Sequence, residues 1–242
     1  MRVYLDTNIF IYLESEKYSY QSFLVVPNAT YFFSDIHIDE LINGITNNPG
    51  LKDVRLQSIE LLCGSNYLAP DLGPANGEYK GSSLKTPQEA FDFSMRFKHM
   101  HDELLSWTKA ISVNRDTLIN ELKLNKLEVG NIPPSDIICI IDRNLKAVLG
   151  YGVDVYLEKS VATTGRSAFL ALFNLLDFIC YWHDVSNVAR LYDSSHAYFA
   201  HYCNVLVTND KRMRIKTEAV YSYYGIRTKV LTADDFITAY SI

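Results

Sequence analysis

Short apolar segments alternate with helix-forming segments at both ends of this chain, and no other feature constrains the fold as much. Residues 2–6 and 31–33 are rich in β-branched and aromatic side chains, and a helical pattern follows each of them. Residues 205–208 and 228–232 repeat this arrangement near the end of the sequence. Because strands that alternate with helices are typical of a mostly parallel sheet covered on both faces, we predict an α/β fold.

The middle of the chain has a different pattern. Residues 64–87 are rich in Gly, Pro, Ser and Asn and predict a loop, whereas residues 89–122 and 160–183 have helical spacing. One strand-like run, residues 153–157, interrupts these helical patterns. The middle is therefore predicted to be mainly helical.

These patterns divide the chain into a core and an insertion. We predict that residues 1–48 and 186–242 form one discontinuous α/β core, and that residues 49–185 form a large helical insertion. The first part of the core holds two basic and six acidic side chains, and the second part holds seven and five. The whole chain has a formal net charge of -5, which excludes a protein coated with positive charge, so any nucleic-acid binding must be local.

The cysteines and the hydropathy bear on the cellular compartment. The four cysteines are widely separated in the sequence: Cys63, Cys139, Cys180 and Cys203. This spacing favours free thiols in a reducing cytoplasm over a disulfide framework. The most apolar run, residues 168–182, contains Asn174 and Asp177 and is too short to cross a bilayer. We therefore expect a cytoplasmic protein with no membrane partner.

Four acidic residues lie where strands end or in the helices that follow them. Asp6 ends the first strand, and Glu40 lies in the helix after the second. Asp193 lies early in a later helix, and Asp210 follows the strand at 205–208. Because these positions share one edge of a parallel sheet, we expect the carboxylates to converge there. Converging carboxylates repel each other unless a hard cation such as Mg²⁺ or Mn²⁺ binds them, and such a cation activates water for attack on a phosphodiester.

Each acid also has a purely structural interpretation. On this interpretation Asp6 and Asp210 cap the helices that follow them. Asp193 is favoured by the dipole of its helix, and Glu40 is solvated opposite the apolar stripe of its own helix. The order and the context of the four residues together favour the catalytic interpretation.

Several of these segments resemble the PIN-domain nucleases. Residues 3–8, Val-Tyr-Leu-Asp-Thr-Asn, are similar to that family's opening strand and its Asp-Thr-Asn/Ser motif. Residues 34–42 look like the helix that carries the second acid. Residues 193–200 resemble the segment in which a third acid precedes an Ala-rich helix, and residues 205–210 resemble the strand that ends in the fourth acid. The resemblance covers both parts of the predicted core and not the middle segment.

The resemblance implies a PIN-like fold and a nuclease that depends on Mg²⁺ or Mn²⁺. Such nucleases most often are endoribonucleases acting on single-stranded or structured RNA, and DNA is the second substrate class. Four acids would hold the metal and carry catalysis: Asp6, Glu40, Asp193 and Asp210. Asn8 and Thr208 would support the site. A second copy of the chain and an antitoxin-like inhibitor protein are further partners consistent with the resemblance.

A cationic hexapeptide directly follows the fourth acid. Its four basic residues are Lys211, Arg212, Arg214 and Lys216. Because they adjoin the predicted metal site, we expect them to bind substrate phosphates through salt-sensitive contacts. The competing interpretation is the exposed face of an ordinary surface helix.

Two other functional classes compete with a nuclease. A PIN-like fold with a silent site would serve as a binding or scaffold module, but such a site would be expected to lose one of its acids. A phosphatase of the haloacid-dehalogenase type would end its first strand in Asp-x-Asp, whereas this chain has Asp6, Thr7 and Asn8. The sequence has no GxGxxG and no P-loop motif, so dinucleotide binding and NTP hydrolysis are poorly supported.

Overall fold

A computed structural model describes residues 1–68, 83–126, 128–160 and 165–241, and the chain forms two compact units. The sheet unit consists of Met1–Ser106, Phe199–Asp210 and Thr228–Ile242. The helical unit consists of Trp107–Tyr198 and Lys211–Arg227. Because the chain passes between them several times, neither unit is one continuous stretch of sequence.

The sheet unit contains six strands. They are β1 (Arg2–Leu5), β2 (Thr30–Ser34), β3 (Asn66–Leu68), β4 (Ser83–Leu84), β5 (Val205–Val207) and β6 (Lys229–Leu231). The strand order is β4-β3-β2-β1-β5-β6, and all neighbours are parallel except β3 and β4. The prediction of an α/β fold with a mostly parallel sheet is therefore confirmed.

The central strand β1 holds the sheet together. Its Val3 pairs with Tyr31 of β2 on one side and with Val205 of β5 on the other. Val3, Tyr4 and Leu5 are fully buried, so both faces of this strand are covered. A strand covered on both faces is expected to be apolar throughout, which explains its continuous hydrophobic sequence.

Helices connect the strands and form the helical unit. In the sheet unit they are α1 (Thr7–Glu14), α2 (Tyr20–Leu24), α3 (Asp35–Ile45), α4 (Leu51–Cys63), α5 (Pro87–Arg96) and α13 (Ala233–Tyr240). In the helical unit they are α7 (Arg115–Glu121), α8 (Pro134–Leu149), α9 (Val153–Ser160), α10 (Gly165–Phe178) and α12 (Lys211–Tyr224). Helices α6 (Lys98–Ala110) and α11 (Asn187–Ala200) contribute residues to both units. Among the described residues, no helix is long and apolar enough to span a bilayer.

Local sequence signals set several helix ends. Thr86 and Glu89 form a reciprocal capping box at the start of α5, where Pro87 occupies the first turn. Helix α12 ends before Gly225, whose φ of 65° is the left-handed conformation that glycine adopts most readily. This glycine therefore marks the carboxyl end of α12.

The middle of the chain contains strands that the sequence did not indicate. Residues 66–68 and 83–84 form β3 and β4, although we predicted a loop over residues 64–87. Strands this short carry no readable alternation, which explains the error. The strand-like run at 153–157 does not form a strand, because these residues lie in α9. Residues 69–82 of the predicted loop lie outside the described residues.

The compact units and the helix boundaries differ from the predicted ones. Residues 49–106 belong to the sheet unit, whereas we assigned residues 49–185 to a single insertion. The helical pattern at 89–122 is divided among α5, α6 and α7. Within the pattern at 160–183, the helical residues are those of α10 and the last residue of α9. Apolar spacing locates a helical region, but the breaks within it depend on turns that have no strong sequence signal.

One ion pair in the sheet unit is almost completely buried. Arg55 Nε and Nη2 donate to the two carboxylate oxygens of Glu14, at 2.5 and 3.0 Å. The two side chains are only 4% and 10% exposed. A pair this dry differs from the Lys98–Asp102 pair on α6, whose side chains are 35% and 53% exposed.

We predict that Arg55→Ala destabilises the protein by about 3–5 kcal/mol, because it leaves the Glu14 carboxylate buried without its counter-ion. Lys98→Ala is the matched control, and it is expected to cost at most about 0.5 kcal/mol, since solvent screens an exposed pair. Urea unfolding of both variants measures the difference. Equal midpoints for the two variants would contradict the prediction.

Candidate active site at the carboxyl edge of the sheet

Asp6 lies directly after β1, at the carboxyl edge of the sheet. Its backbone N–H donates to Val207 O at 3.0 Å and so extends the ladder between β1 and β5. Asp6 is the residue before α1, and its carboxylate makes no capping hydrogen bond to that helix. The side chain is only 3% exposed. The carboxylate therefore does not serve as the helix cap that the structural interpretation required.

The Asp6 carboxylate is instead held by polar side chains. Thr208 Oγ1 donates to Asp6 Oδ2 at 2.9 Å, and Asn8 Nδ2 donates to the same oxygen at 3.2 Å. Thr208 Oγ1 also accepts from the backbone N–H of Asp210 at 3.1 Å. A hydroxyl has one donor and two acceptor positions, so Thr208 can serve both acids at once. The structure therefore brings Asp6, Asn8, Thr208 and the backbone of Asp210 together.

This group lies where the strand order reverses. From β1 the chain continues to β2 on one side, and from β5 it continues to β6 on the other. In open parallel sheets, ligands bind in the crevice outside the carboxyl ends of two such strands. Asp6 follows β1 and Thr208 follows β5, so both residues line this point.

Asn209 supports the same turn, although it was not among the predicted site residues. Its Nδ2 donates to the Tyr18 hydroxyl at 3.1 Å, and its Oδ1 accepts from the backbone N–H of Ala233 at 2.9 Å. The side chain therefore ties the β5–α12 turn to the start of α13. The only available signal was its position between Thr208 and Asp210, which is also typical of an ordinary turn.

His37 supports the end of β1 from the neighbouring helix α3. Its Nε2 donates to Leu5 O at 2.7 Å, and its Nδ1 accepts from the backbone N–H of Ser34 at 3.1 Å. His37 and Ser34 also form the capping box of α3, and both are fully buried. Because both ring nitrogens bond to the main chain, His37 is a support for the Leu5–Asp6 peptide rather than a ligand. No pattern in the sequence predicts this role.

The pKa of the buried Tyr4 phenol is affected by negative charges near this edge of the sheet. Burial is the largest cause that raises the pKa of its phenol well above the ordinary value of 10.0. A hydrogen bond with Ser34 lowers the pKa, and the charges of Asp35, Asp6 and Glu40 raise it further. Since three carboxylates act on one buried hydroxyl, they lie in the same region of the sheet unit. Asp35 was not among the predicted site residues.

The other predicted acids have different positions. Glu40 lies in α3 and Asp210 lies just before α12, and both side chains are half-buried. Asp193 is also half-buried, but it belongs to the helical unit. It lies in the middle of α11, because that helix begins at Asn187, six residues before the predicted acid. Our placement of Asp193 early in its helix was therefore wrong.

The donors at this edge suit a hard cation. The side chains around Asp6 offer carboxylate, hydroxyl and amide oxygens, which Mg²⁺ and Mn²⁺ prefer. Among the described residues, no group of three or more His, Cys, Asp or Glu side chains has the arrangement of a metal site. The types of oxygen donor at this edge fit the predicted cation. Because no metal-like arrangement is found among the described residues, cation binding stays a prediction.

The four predicted phosphate contacts do not share one environment. Lys211 and Arg212 are exposed and Arg214 is half-buried at the start of α12. Lys216 is fully buried, and its ammonium donates to Asp184. A side chain that is 0% exposed cannot reach a phosphate, so the assignment of Lys216 is corrected. Its position five residues along the helix turns it inward, which a count of cations does not reveal.

We predict that Tyr4→Phe flattens the alkaline loss of stability. Above pH 10.0 the folded protein keeps the Tyr4 proton while the unfolded chain loses it, so the free energy of unfolding falls as pH rises. Because Phe has no hydroxyl that titrates, the substitution should reduce the slope of the unfolding free energy against pH. The expected reduction above pH 10.0 is about 1.4 kcal/mol per pH unit. Urea unfolding at several alkaline pH values measures the slope. A slope equal to that of the wild type would contradict the prediction.

Comparison with known proteins gives no relative. No protein-family model, no curated protein and no solved structure matches this chain. The resemblance to PIN-domain nucleases therefore rests on the chain's own residues, chiefly Asp6, Thr7 and Asn8 after β1 and Asp210 after β5. What the protein does must be inferred from the chemistry of its side chains.

Proposed function

We propose that this protein is a Mg²⁺- or Mn²⁺-dependent nuclease, and specifically an endoribonuclease with a PIN-like fold. One observation carries the proposal. Asp6, buried at the carboxyl end of β1, accepts hydrogen bonds from the side chains of Thr208 and Asn8, and its carboxylate does not cap the helix that it precedes. A carboxylate held in this way, at the point where the strand order of a parallel sheet reverses, is typical of a ligand-binding edge.

The geometry around Asp6 supports a catalytic use. Both donors bond to the same carboxylate oxygen, Oδ2, and so fix the plane of the group. Neutral donors stabilise the ionised form without cancelling its charge, which leaves the negative charge available to a cation. Residues that orient a ligating carboxylate in this manner strongly affect metal affinity. Thr208 and Asn8 would therefore keep the Asp6 carboxylate correctly directed.

Three acids of the sheet unit would hold the cation, as the resemblance implies: Asp6, Glu40 and Asp210. A role for Asp193 stays a prediction from the resemblance alone. When bound, the cation would lower the pKa of a water molecule and polarise the scissile phosphate. The carboxylates would fix its position, and Thr208 would couple Asp6 to Asp210 through one hydroxyl. The electrostatic influence of both Asp6 and Glu40 on Tyr4 supports a shared location for these two acids.

Three basic residues are the proposed phosphate contacts: Lys211, Arg212 and Arg214. They directly follow Asp210 in the sequence, and the first two are exposed. The contacts would position the nucleic-acid backbone without reading its sequence. Single-stranded or structured RNA is the proposed substrate, and DNA is the second substrate class.

The alternative is a catalytically silent binding or scaffold module. It gains some support because no group of three or more potential metal ligands converges among the described residues. A silent module would bind nucleic acid or protein but would not cleave RNA under any metal condition. The same assay therefore decides between the two functions.

We predict that the purified protein cleaves labelled single-stranded RNA with Mg²⁺ or Mn²⁺ and not with EDTA. Asp6→Asn should reduce cleavage by about 100-fold or more, because it removes the charge that binds the cation. Thr208→Val should reduce it by about 10- to 100-fold, since the carboxylate loses its hydroxyl donor. Thr208→Ser, which keeps the hydroxyl, should retain most of the activity.

Asp234→Asn is the matched control for the change at Asp6. Asp234 is an exposed acid in the first turn of α13, in the same compact unit. Its substitution should leave cleavage unchanged, and circular dichroism would establish that all variants are folded. Cleavage that persists in EDTA, or that survives Asp6→Asn undiminished, would exclude the proposed function.

We predict that the combined Lys211, Arg212 and Arg214→Ala variant binds single-stranded RNA more weakly and with a smaller salt dependence. Each phosphate contact on a single strand contributes about 0.7 to the slope of log K against log salt, so three contacts contribute about 2. The control variant replaces three other basic residues by Ala and so removes the same total charge: Lys98, Lys126 and Lys146. Fluorescence anisotropy at several salt concentrations measures both slopes. If the two variants have the same slope, these residues are not phosphate contacts.

A further inference from the structure

The helical unit contains a buried cluster of charged side chains. The Asp177 carboxylate accepts from Arg115 Nη2 at 3.0 Å and from Arg190 Nη1 at 3.2 Å through one oxygen, and its other oxygen accepts from the Asp184 backbone N–H at 2.6 Å. The Lys216 ammonium donates to Asp184 and lies 3.6 Å from Asp177. Asp177, Asp184, Arg190 and Lys216 are each at most 5% exposed.

Among the described residues, the charges that form the ion pairs of this cluster do not balance. Three cations, Arg115, Arg190 and Lys216, surround two carboxylates, Asp177 and Asp184. Counted over these five side chains alone, the cluster has one more cation than it has carboxylates. Because four of these side chains are buried, solvent screens their charges only weakly. The electric field of the cluster therefore extends to any nearby opening to solvent.

Such an opening adjoins the cluster. A cavity of about 330 Å³ is lined by Lys109, Arg115, Asp184, Val185, Ser186, Asn187 and Val188. Its volume is at the lower end of the range found for small-molecule sites. Arg115 is 33% exposed, and Lys109 is exposed. Because the lining carboxylate, Asp184, is itself bonded to Lys216, it opposes an anion only weakly.

The remaining wall of the cavity is also favourable to an anion. Ser186 Oγ accepts from the backbone N–H of Ala189, which is the bond of a residue that caps α11. The first N–H groups of a helix have no partner within the helix, and they carry partial positive charge. The start of α11 thus adds to the field of Lys109 and of the charge cluster.

We propose that this cavity binds a phosphate group. The surplus charge of the cluster and the Lys109 ammonium together supply two positive charges, which match a phosphate dianion better than a carboxylate or a halide. The planar guanidinium of Arg115 can present paired N–H donors to phosphate oxygens. The phosphate can come from a free monoester or from a nucleic-acid strand. This proposal does not depend on the nuclease activity.

The test is a calorimetric titration of the full-length protein with inorganic phosphate, supported by ³¹P line broadening. The wild type should bind saturably. Lys109→Ala should weaken binding roughly tenfold, because it removes one charge-assisted contact. Arg115→Gln should have a similar or larger effect. Lys126→Ala is the matched control and should bind as the wild type does, since Lys126 is an exposed lysine of the same unit paired with Asp116.

Displacement separates the two sources of phosphate. If ribose 5-phosphate displaces inorganic phosphate and RNA without terminal phosphates does not, the site takes monoesters. If the RNA displaces it, the site takes strand phosphates. The proposal is overturned if the wild type shows no saturable binding, if Lys109→Ala binds as tightly as Lys126→Ala, or if chloride displaces phosphate equally well. Because Lys109 is exposed, its variant should fold even if the Arg115 variant does not.

Discussion

The parallel ladder between β1 and β5 is the interaction on which the sheet unit depends. It joins residues 3–5 to residues 205–207, almost the full length of the chain apart. The pairing continues one step beyond the strand, where the Asp6 N–H bonds to Val207 O. Because this register fixes where β1 and β5 end, it also determines that the Thr208 hydroxyl reaches the Asp6 carboxylate. Closing so long a loop costs entropy, which the buried ladder and the packing around it must offset.

Both units bury polar groups, and these groups are satisfied by neutral hydrogen bonds or by ion pairs. In the sheet unit, His37 uses its two ring nitrogens on the backbone of Leu5 and Ser34. This arrangement is neutral and positions the strand that carries the candidate site. In the helical unit, Asp177 and Lys216 are part of a network of full charges. Buried charges are stabilising only when they are paired and hydrogen-bonded, so this network constrains the packing of the helices that supply it.

The candidate site was predictable to the extent that it depends on strand ends. Asp6 and Thr208 follow apolar strands, and parallel strands share one carboxyl edge, so their meeting could be expected. Asn209 and His37 were missed because their side chains bond to groups far away in the sequence or to backbone atoms. Lys216 was assigned to a cationic face because its neighbours are basic, but the helix directs it into the interior.

The sequence by itself determined the alternation of strands and helices, the α/β class and the positions of the acids after β1 and β5. These properties depend on local patterns of apolar residues, which the chain carries along its own length. Only the tertiary structure decided that residues 66–68 pair with β2, that the Asp6 carboxylate bonds to Thr208 and does not cap its helix, and that Lys216 is buried. Such outcomes depend on which distant segments pack together, and burial and charge pairing exist only after that packing is complete.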